Sequence, residues 1–142
     1  MCLIVNKGQR YRIAKKDIPC YKVVSKLEYR IGYSDDTFYV YCSPYQTRKI
    51  SNDEVEGKIP YSANGEFNSG VQMLGEHRGI GMGAIHTYVN PYYLATPTGS
   101  EIKTLEVFEC IIPKGTKYYI GKDQSGRDSY ASEKIVFKEK IS

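Results

Sequence analysis

Two histidines, four cations and one late glutamate are the residues most able to do chemistry in this chain. His86 stands in Gly83-Ala84-Ile85-His86-Thr87-Tyr88. Strand alternation puts Ile85 and Thr87 on one face and His86 with Tyr88 on the other. An imidazole beside a phenol can both donate to and accept from a polar ligand. The same histidine could instead bond a neighbouring carbonyl. Glu76-His77-Arg78 lies between Gly75 and Gly79, where charged side chains can swing over a pocket. Gly79-Ile80-Gly81-Met82-Gly83 offers backbone amides to an anion but meets neither nucleotide fingerprint.

A second polar and aromatic set is Tyr21-Lys22, Ser43-Pro44-Tyr45 and Arg48. Lys22 and Arg48 could both hold phosphate, the arginine in a bidentate way. A third set precedes the end of the chain. Arg127 and Tyr130 could face one cavity, and Glu133 is the carboxylate there that could act catalytically. No G-x-S-x-G, no H-E-x-x-H and no cysteine with an adjacent histidine occurs. Cys2, Cys20, Cys42 and Cys110 form no C-x-x-C pair, so free thiols are expected, with no metal and no cofactor. This balance weighs against an enzyme.

The elements that must position these residues follow from composition and pattern. The chain has 142 residues, 41% of them hydrophobic and 25% charged, which fits one globular domain over 1–142. Fourteen tyrosines with four phenylalanines and no tryptophan favour strands and half-buried pocket walls. The net charge of +4 is mild, and much of the excess lies in the first 30 residues. Lys7, Arg10, Arg12, Lys15, Lys16, Lys22, Lys26 and Arg30 face only Asp17 and Glu28 there. Nucleic-acid polymers usually call for denser basic stripes; a small anion needs only a few cations. No apolar run is long enough to span a membrane as a helix, and the start lacks a secretory pattern, so a cytoplasmic protein is expected.

Residues 10–14, 20–26 and 37–42 read as early strands, with 20–42 pairing as a hairpin around Tyr33-Ser34-Asp35-Asp36. Residues 50–84 carry seven glycines and little periodicity, which predicts a glycine-rich insertion or flap. Asn90-Pro91 predicts a short helix to Ala95. Thr104–Ile112, Lys117–Gly121 and Lys134–Phe137 read as strands, separated by turns at 113–116 and 123–126 and by a polar connection over 125–133. The fold class is therefore α+β, a single sheet-dominated domain with one or two short helices.

Several short motifs occur in a suggestive order. They are Tyr21-Lys22-Val23, Tyr41-Cys42-Ser43-Pro44-Tyr45, Ile85-His86-Thr87-Tyr88, Phe108-Glu109-Cys110-Ile111-Ile112-Pro113-Lys114-Gly115-Thr116-Lys117-Tyr118-Tyr119 and Tyr130-Ala131-Ser132-Glu133-Lys134-Ile135. The order resembles that of a loosely defined group of small proteins in bacteriophages and gut bacteria. The resemblance spans 1–137 and implies a fold more than an activity. The late strands are also faintly similar to the ADP-ribosyltransferase fold. That likeness implies a nicotinamide dinucleotide site at Lys22 or Tyr21, Ser43 and Glu133, with the first-strand residue departing from the pattern.

In size, aromatics and scattered cations the chain resembles phage proteins that sequester nucleotide immune signals, such as cyclic ADP-ribose isomers and cyclic dinucleotides. The expected function is thus an anti-defence viral protein that holds a small phosphorylated nucleotide in the host cytosol. Its candidate contacts are Lys22, Ser43, Tyr45, Arg48, Arg78, His86, Tyr88, Arg127 and Tyr130. An ADP-ribosyltransferase-like enzyme using Glu133 is the alternative, and a protein–protein inhibitor using the 50–84 loop is a third. A homo-oligomer sharing its pocket is compatible with all three.

Overall fold

The structure, a computed structural model, describes residues 3–5, 10–30, 37–42, 49–63, 71–73, 84–91, 103–123 and 126–141. Among them are twelve strands and one helical turn. The strands are β1 (Leu3–Val5), β2 (Arg12–Ile13), β3 (Ile18–Arg30), β4 (Thr37–Cys42), β5 (Lys49–Ile50), β6 (Tyr61–Ser62), β7 (Val71–Met73), β8 (Ile85–Tyr88), β9 (Lys103–Ile112), β10 (Lys117–Asp123), β11 (Asp128–Ser132) and β12 (Lys134–Lys140); α1 is Asn52–Val55. The expected strand-dominated domain is what forms. No helix among the described residues is long and apolar enough to cross a membrane.

The strands join in the order β6-β12-β9-β3-β8-β11-β10-β1-β7, with β2 beside β10 and β4 beside β3. Pairing is antiparallel except between β1 and β7. Strands β9 to β12 form one long hairpin bent at a corner, β9 pairing with β12 and β10 with β11. Val136 opposes Ile111, whereas Ser132 opposes Tyr118, so the β9–β10 side carries extra residues between the two ladders. Those residues are the Pro113–Thr116 turn, with Gly115 at φ +88° and the Thr116 N–H donating to the Pro113 carbonyl at 3.1 Å. Opposite them, Glu133 alone separates β11 from β12. The path β12-β9-β3-β8-β11 therefore ends on the segment that runs through Glu133 into β12, and Ile85, Tyr118 and Tyr130 share a core with Ile135 and Phe137.

Register decides which side chains share the inner face. Cys20 opposes Cys110, Lys22 opposes Phe108 and Val24 opposes Glu106. Ile135 and Phe137 from β12, Ile85 from β8, Ile50 and Tyr61 join Cys20, Val24, Phe108, Cys110 and Ile112 in the core. Phe108 meets Phe137 edge to face at 5.5 Å between centroids. Tyr118 and Tyr130 pack against the same cluster. At the far end of β3, the buried Glu106 carboxylate pairs with Lys140 at 3.1 Å and Lys26 at 3.7 Å.

Several sequence expectations change here. The hairpin of β3 and β4 forms, with Arg30 opposite Thr37; the tip at 33–36 lies outside the described residues. Residues 128–132 are a strand and not a polar connection, because β8 and β10 pair with both edges of a segment whose own side chains are polar. In the span 50–84, Ile50 and Tyr61 are core residues, and a single helical turn, Asn52–Val55, lies between them. The Ser51 hydroxyl accepts from the Glu54 amide at 3.2 Å while the Glu54 carboxylate accepts from the Ser51 amide at 3.1 Å. That reciprocal cap satisfies donors that a single turn leaves orphaned. Residues 64–70 and 74–83, and the helix expected to run from Pro91 to Ala95, fall outside the described residues.

Gly57 ends this turn at φ +78°, and a Cβ there would collide with the Phe137 carbonyl. Gly57→Ala is therefore expected to lower stability by about 2 kcal/mol or more, from left-handed strain and displaced backbone together. Thermal unfolding measures it; an unchanged midpoint would show that the turn can move away from β12.

Candidate functional site

Lys22 is the candidate that the fold treats most unusually. The β3 alternation that buries Cys20 and Val24 also points Lys22 inward, and it is 5% exposed. Its ammonium donates to the His86 carbonyl at 3.0 Å. Burial depresses its pKa from 10.5 to about 8, partly offset by the neighbouring Cys110 and Cys20 thiols. Burial conversely pushes the Cys20 thiol up to about 12, and raises Cys110 as well. Both thiols are free and sit directly opposite one another. Buried neutral thiols are poor nucleophiles, so this cluster is built for packing and not for attack.

The remaining candidates divide between two faces. Tyr130 lies on the inner face, edge to face with Tyr118 at 6.0 Å. Burial, with Cys20 nearby, lifts its phenol above the usual range. His86 and Tyr88 lie half-buried on the outer face, as alternation required, and Tyr88 opposes Tyr21 across the β3–β8 pair. Arg127 stands exposed at the tip of the β10–β11 hairpin. Its amide donates to the Asp123 carboxylate at 2.9 Å. Glu133 is at the corner of the bent hairpin, where its amide donates to the Lys117 carbonyl at 3.0 Å. Ser43, Tyr45, Arg48 and Arg78 lie outside the described residues. The structure thus brings Lys22 and Tyr130 to one face and His86 and Tyr88 to the other.

A hollow of about 470 Å³ opens at the Ile18 end of the sheet. Arg12, Ile13, Lys15, Lys16, Ile18 and Tyr118 line it. Arg12 is placed by β2, which pairs with the start of β10 so that Arg12 opposes Tyr118. Lys15 and Lys16 come from the turn between β2 and β3, which is held by two backbone bonds. The Ala14 amide donates to the Thr116 carbonyl at 2.9 Å, and the Gly115 amide to the Ala14 carbonyl at 2.8 Å. Asp17 is the acidic residue of the same turn, and one of its oxygens accepts from the Lys114 amide at 2.9 Å. Among the described residues the lining carries positive charge and no carboxylate.

Tyr118 links this hollow to the interior, because its ring touches Tyr130 and Tyr130 neighbours Cys20. The volume falls within the range of small-molecule sites. Three cations beside an aromatic ring and two isoleucines can hold a phosphorylated group with an attached flat ring. In the sequence alone, Arg12, Lys15 and Lys16 stand out only as net charge and Tyr118 only as part of a strand. Their signal was the dense basic segment 10–16, but nothing local says that Tyr118 lies beside it.

Among the described residues no group of three or more His, Cys, Asp or Glu side chains is placed to hold a metal ion. Compared with family models, with curated proteins and with solved structures, the chain matches none.

Proposed function

We propose that this protein binds a small phosphorylated nucleotide-type metabolite without altering it, in the hollow between β2, the β2–β3 turn and β10. The observation that carries the reading is the lining itself: Arg12, Lys15 and Lys16 around Tyr118, Ile13 and Ile18. The guanidinium and the two ammonium groups clamp phosphate, and the ring and aliphatic carbons take the base. Sequestration of a nucleotide signal, such as a cyclic ADP-ribose isomer or a cyclic dinucleotide, is the role that fits a binder of this kind. Such a protein would act against host immune signalling in the cytoplasm.

Stacking on tyrosine contributes roughly 1–3 kcal/mol per base. Charge-assisted bonds to phosphate contribute roughly 1.5–3 kcal/mol each. After association losses, micromolar dissociation constants are in reach. Isothermal calorimetry with ADP-ribose, its cyclic isomers and cyclic dinucleotides should detect binding to at least one. The double substitution Arg12→Ala with Lys15→Ala should weaken that binding by roughly a hundredfold, two charge-assisted contacts being lost. No heat with any of these ligands, or an affinity unmoved by the double substitution, would end the reading.

The transferase-like alternative predicts nicotinamide release from a nicotinamide dinucleotide, abolished by Glu133→Gln. Its proposed residues include Lys22, which lies inside the core, and Glu133, which lies at the hairpin corner. The binding reading needs no such partnership.

A further inference from the structure

We infer that the hollow is one end of a longer strip, and that this strip fits a short single strand of nucleic acid. The inference rests on the preceding reading, because the hollow takes the phosphate at one end. It adds the other side of β2. Arg12 shares a side with its partner Tyr118, whereas Tyr11 and Ile13 alternate to the side of Lys117, the partner of Ile13, and Ile13 also borders the hollow. There Tyr11 is 40% exposed and Ile13 57%, large apolar side chains that the fold leaves in water.

The Tyr11 ring is braced. It stands edge-on to Tyr119, with centroids 6.4 Å apart and planes at 88°, and Lys117 Nζ lies 5.0 Å from its centroid. A braced and exposed ring is a stacking platform that accepts any base. Arg10, Arg12, Lys15 and Lys16 of the same segment are all exposed, three of them around the hollow on the other side of β2. Asp17, the acid of the segment, is engaged by the Lys114 amide. A chain crossing β2 would lay one phosphate in the hollow and one base on Tyr11. Duplexes need longer basic tracks and hide their base faces, so the strip selects single strands. An anionic membrane is the competing partner, but it would use the exposed Ile13 and Tyr11 side chains without needing a hollow.

Fluorescence anisotropy with a labelled, 5′-phosphorylated ten-residue oligothymidylate tests this, with ADP-ribose and phosphatidylserine vesicles as competitors. The oligonucleotide should bind at least tenfold more tightly than ADP-ribose. The logarithm of its affinity should fall against the logarithm of salt concentration with a slope of about −2 to −3, as three or four phosphate contacts to a single strand require. Tyr11→Ala should weaken the oligonucleotide roughly 5- to 150-fold, the loss of one stacked base. It should leave ADP-ribose unmoved, and Tyr11→Phe should restore oligonucleotide binding.

An oligonucleotide no tighter than ADP-ribose, or a Tyr11→Phe and Tyr11→Ala pair that bind alike, overturns the strip and leaves the hollow standing. Displacement by vesicles but not by excess unlabelled oligonucleotide also overturns it. Oligonucleotide binding with no ADP-ribose binding supports the strip and sinks the metabolite. Binding of neither ends both.

Discussion

Replacing Lys22 with methionine is expected to raise stability by about 2–3 kcal/mol at pH 7. The depression of the Lys22 pKa from 10.5 to about 8 corresponds to roughly 3 kcal/mol that the folded state bears in holding a buried ammonium. Methionine has a similar length and enough flexibility to fill the same space between Phe108 and β8. Part of the gain is offset, because the His86 carbonyl loses its bond from Nζ. For a domain of this size the midpoint of thermal unfolding should rise by roughly 6–10 °C. A lower midpoint would mean that the lysine's contacts outweigh its desolvation. The variant should bind ligand as the natural chain does, since Lys22 is not part of the hollow.

Raising the pH beyond 9 should produce an effect of similar size and opposite sign. Between pH 8 and 10.5 the unfolded chain holds a proton on Lys22 that the folded chain has released, so stability rises with pH across that window. The thiols act in reverse. Above pH 9 the unfolded state ionises Cys20 while the folded state keeps it neutral up to about 12. Stability is therefore lost progressively from pH 9 upward, by about 3 kcal/mol at pH 11 from Cys20. Cys110 acts in the same direction, its pKa being raised by burial beside Cys20. The two thiols together outweigh the single amine. Denaturant unfolding followed across pH 7–11 should show a shallow maximum at pH 8–9 and a steep alkaline fall. Cys20→Ala with Cys110→Ala should lower stability at pH 7 through lost packing, yet flatten the alkaline limb. A limb equally steep in that double variant would place its origin elsewhere.

Much of the strand content could be read directly. The alternation in Cys20-Tyr21-Lys22-Val23-Val24 and the apolar density of Leu105–Ile112 name β3 and β9 without any partner. The split of Ile85 and Thr87 from His86 and Tyr88 follows from period two alone and holds in the fold. One local signal and one tertiary one lie outside that reading. Ser51 and Glu54 have the spacing of a reciprocal helix cap, and they make one. Asp128–Ser132 is polar in composition, and only pairing to strands on both sides makes it part of the wall.

What the chain's own order of residues determined is a tyrosine-rich, sheet-forming domain, with turns at Gly115 and Gly126 and a basic beginning. These depend on side-chain alternation and backbone preference, which act over a few residues. What only tertiary structure decided is register and packing. Lys22 looked like a surface cation suited to phosphate, but pairing with β9 and packing of the shared core turn it inward. Arg12, Lys15 and Lys16 looked like bulk charge, but β2 docks on β10 and sets them around Tyr118, about a hundred residues along the chain. The physical reason is that a strand's neighbours are chosen by burying apolar area shared among distant segments, and no single segment contains that information.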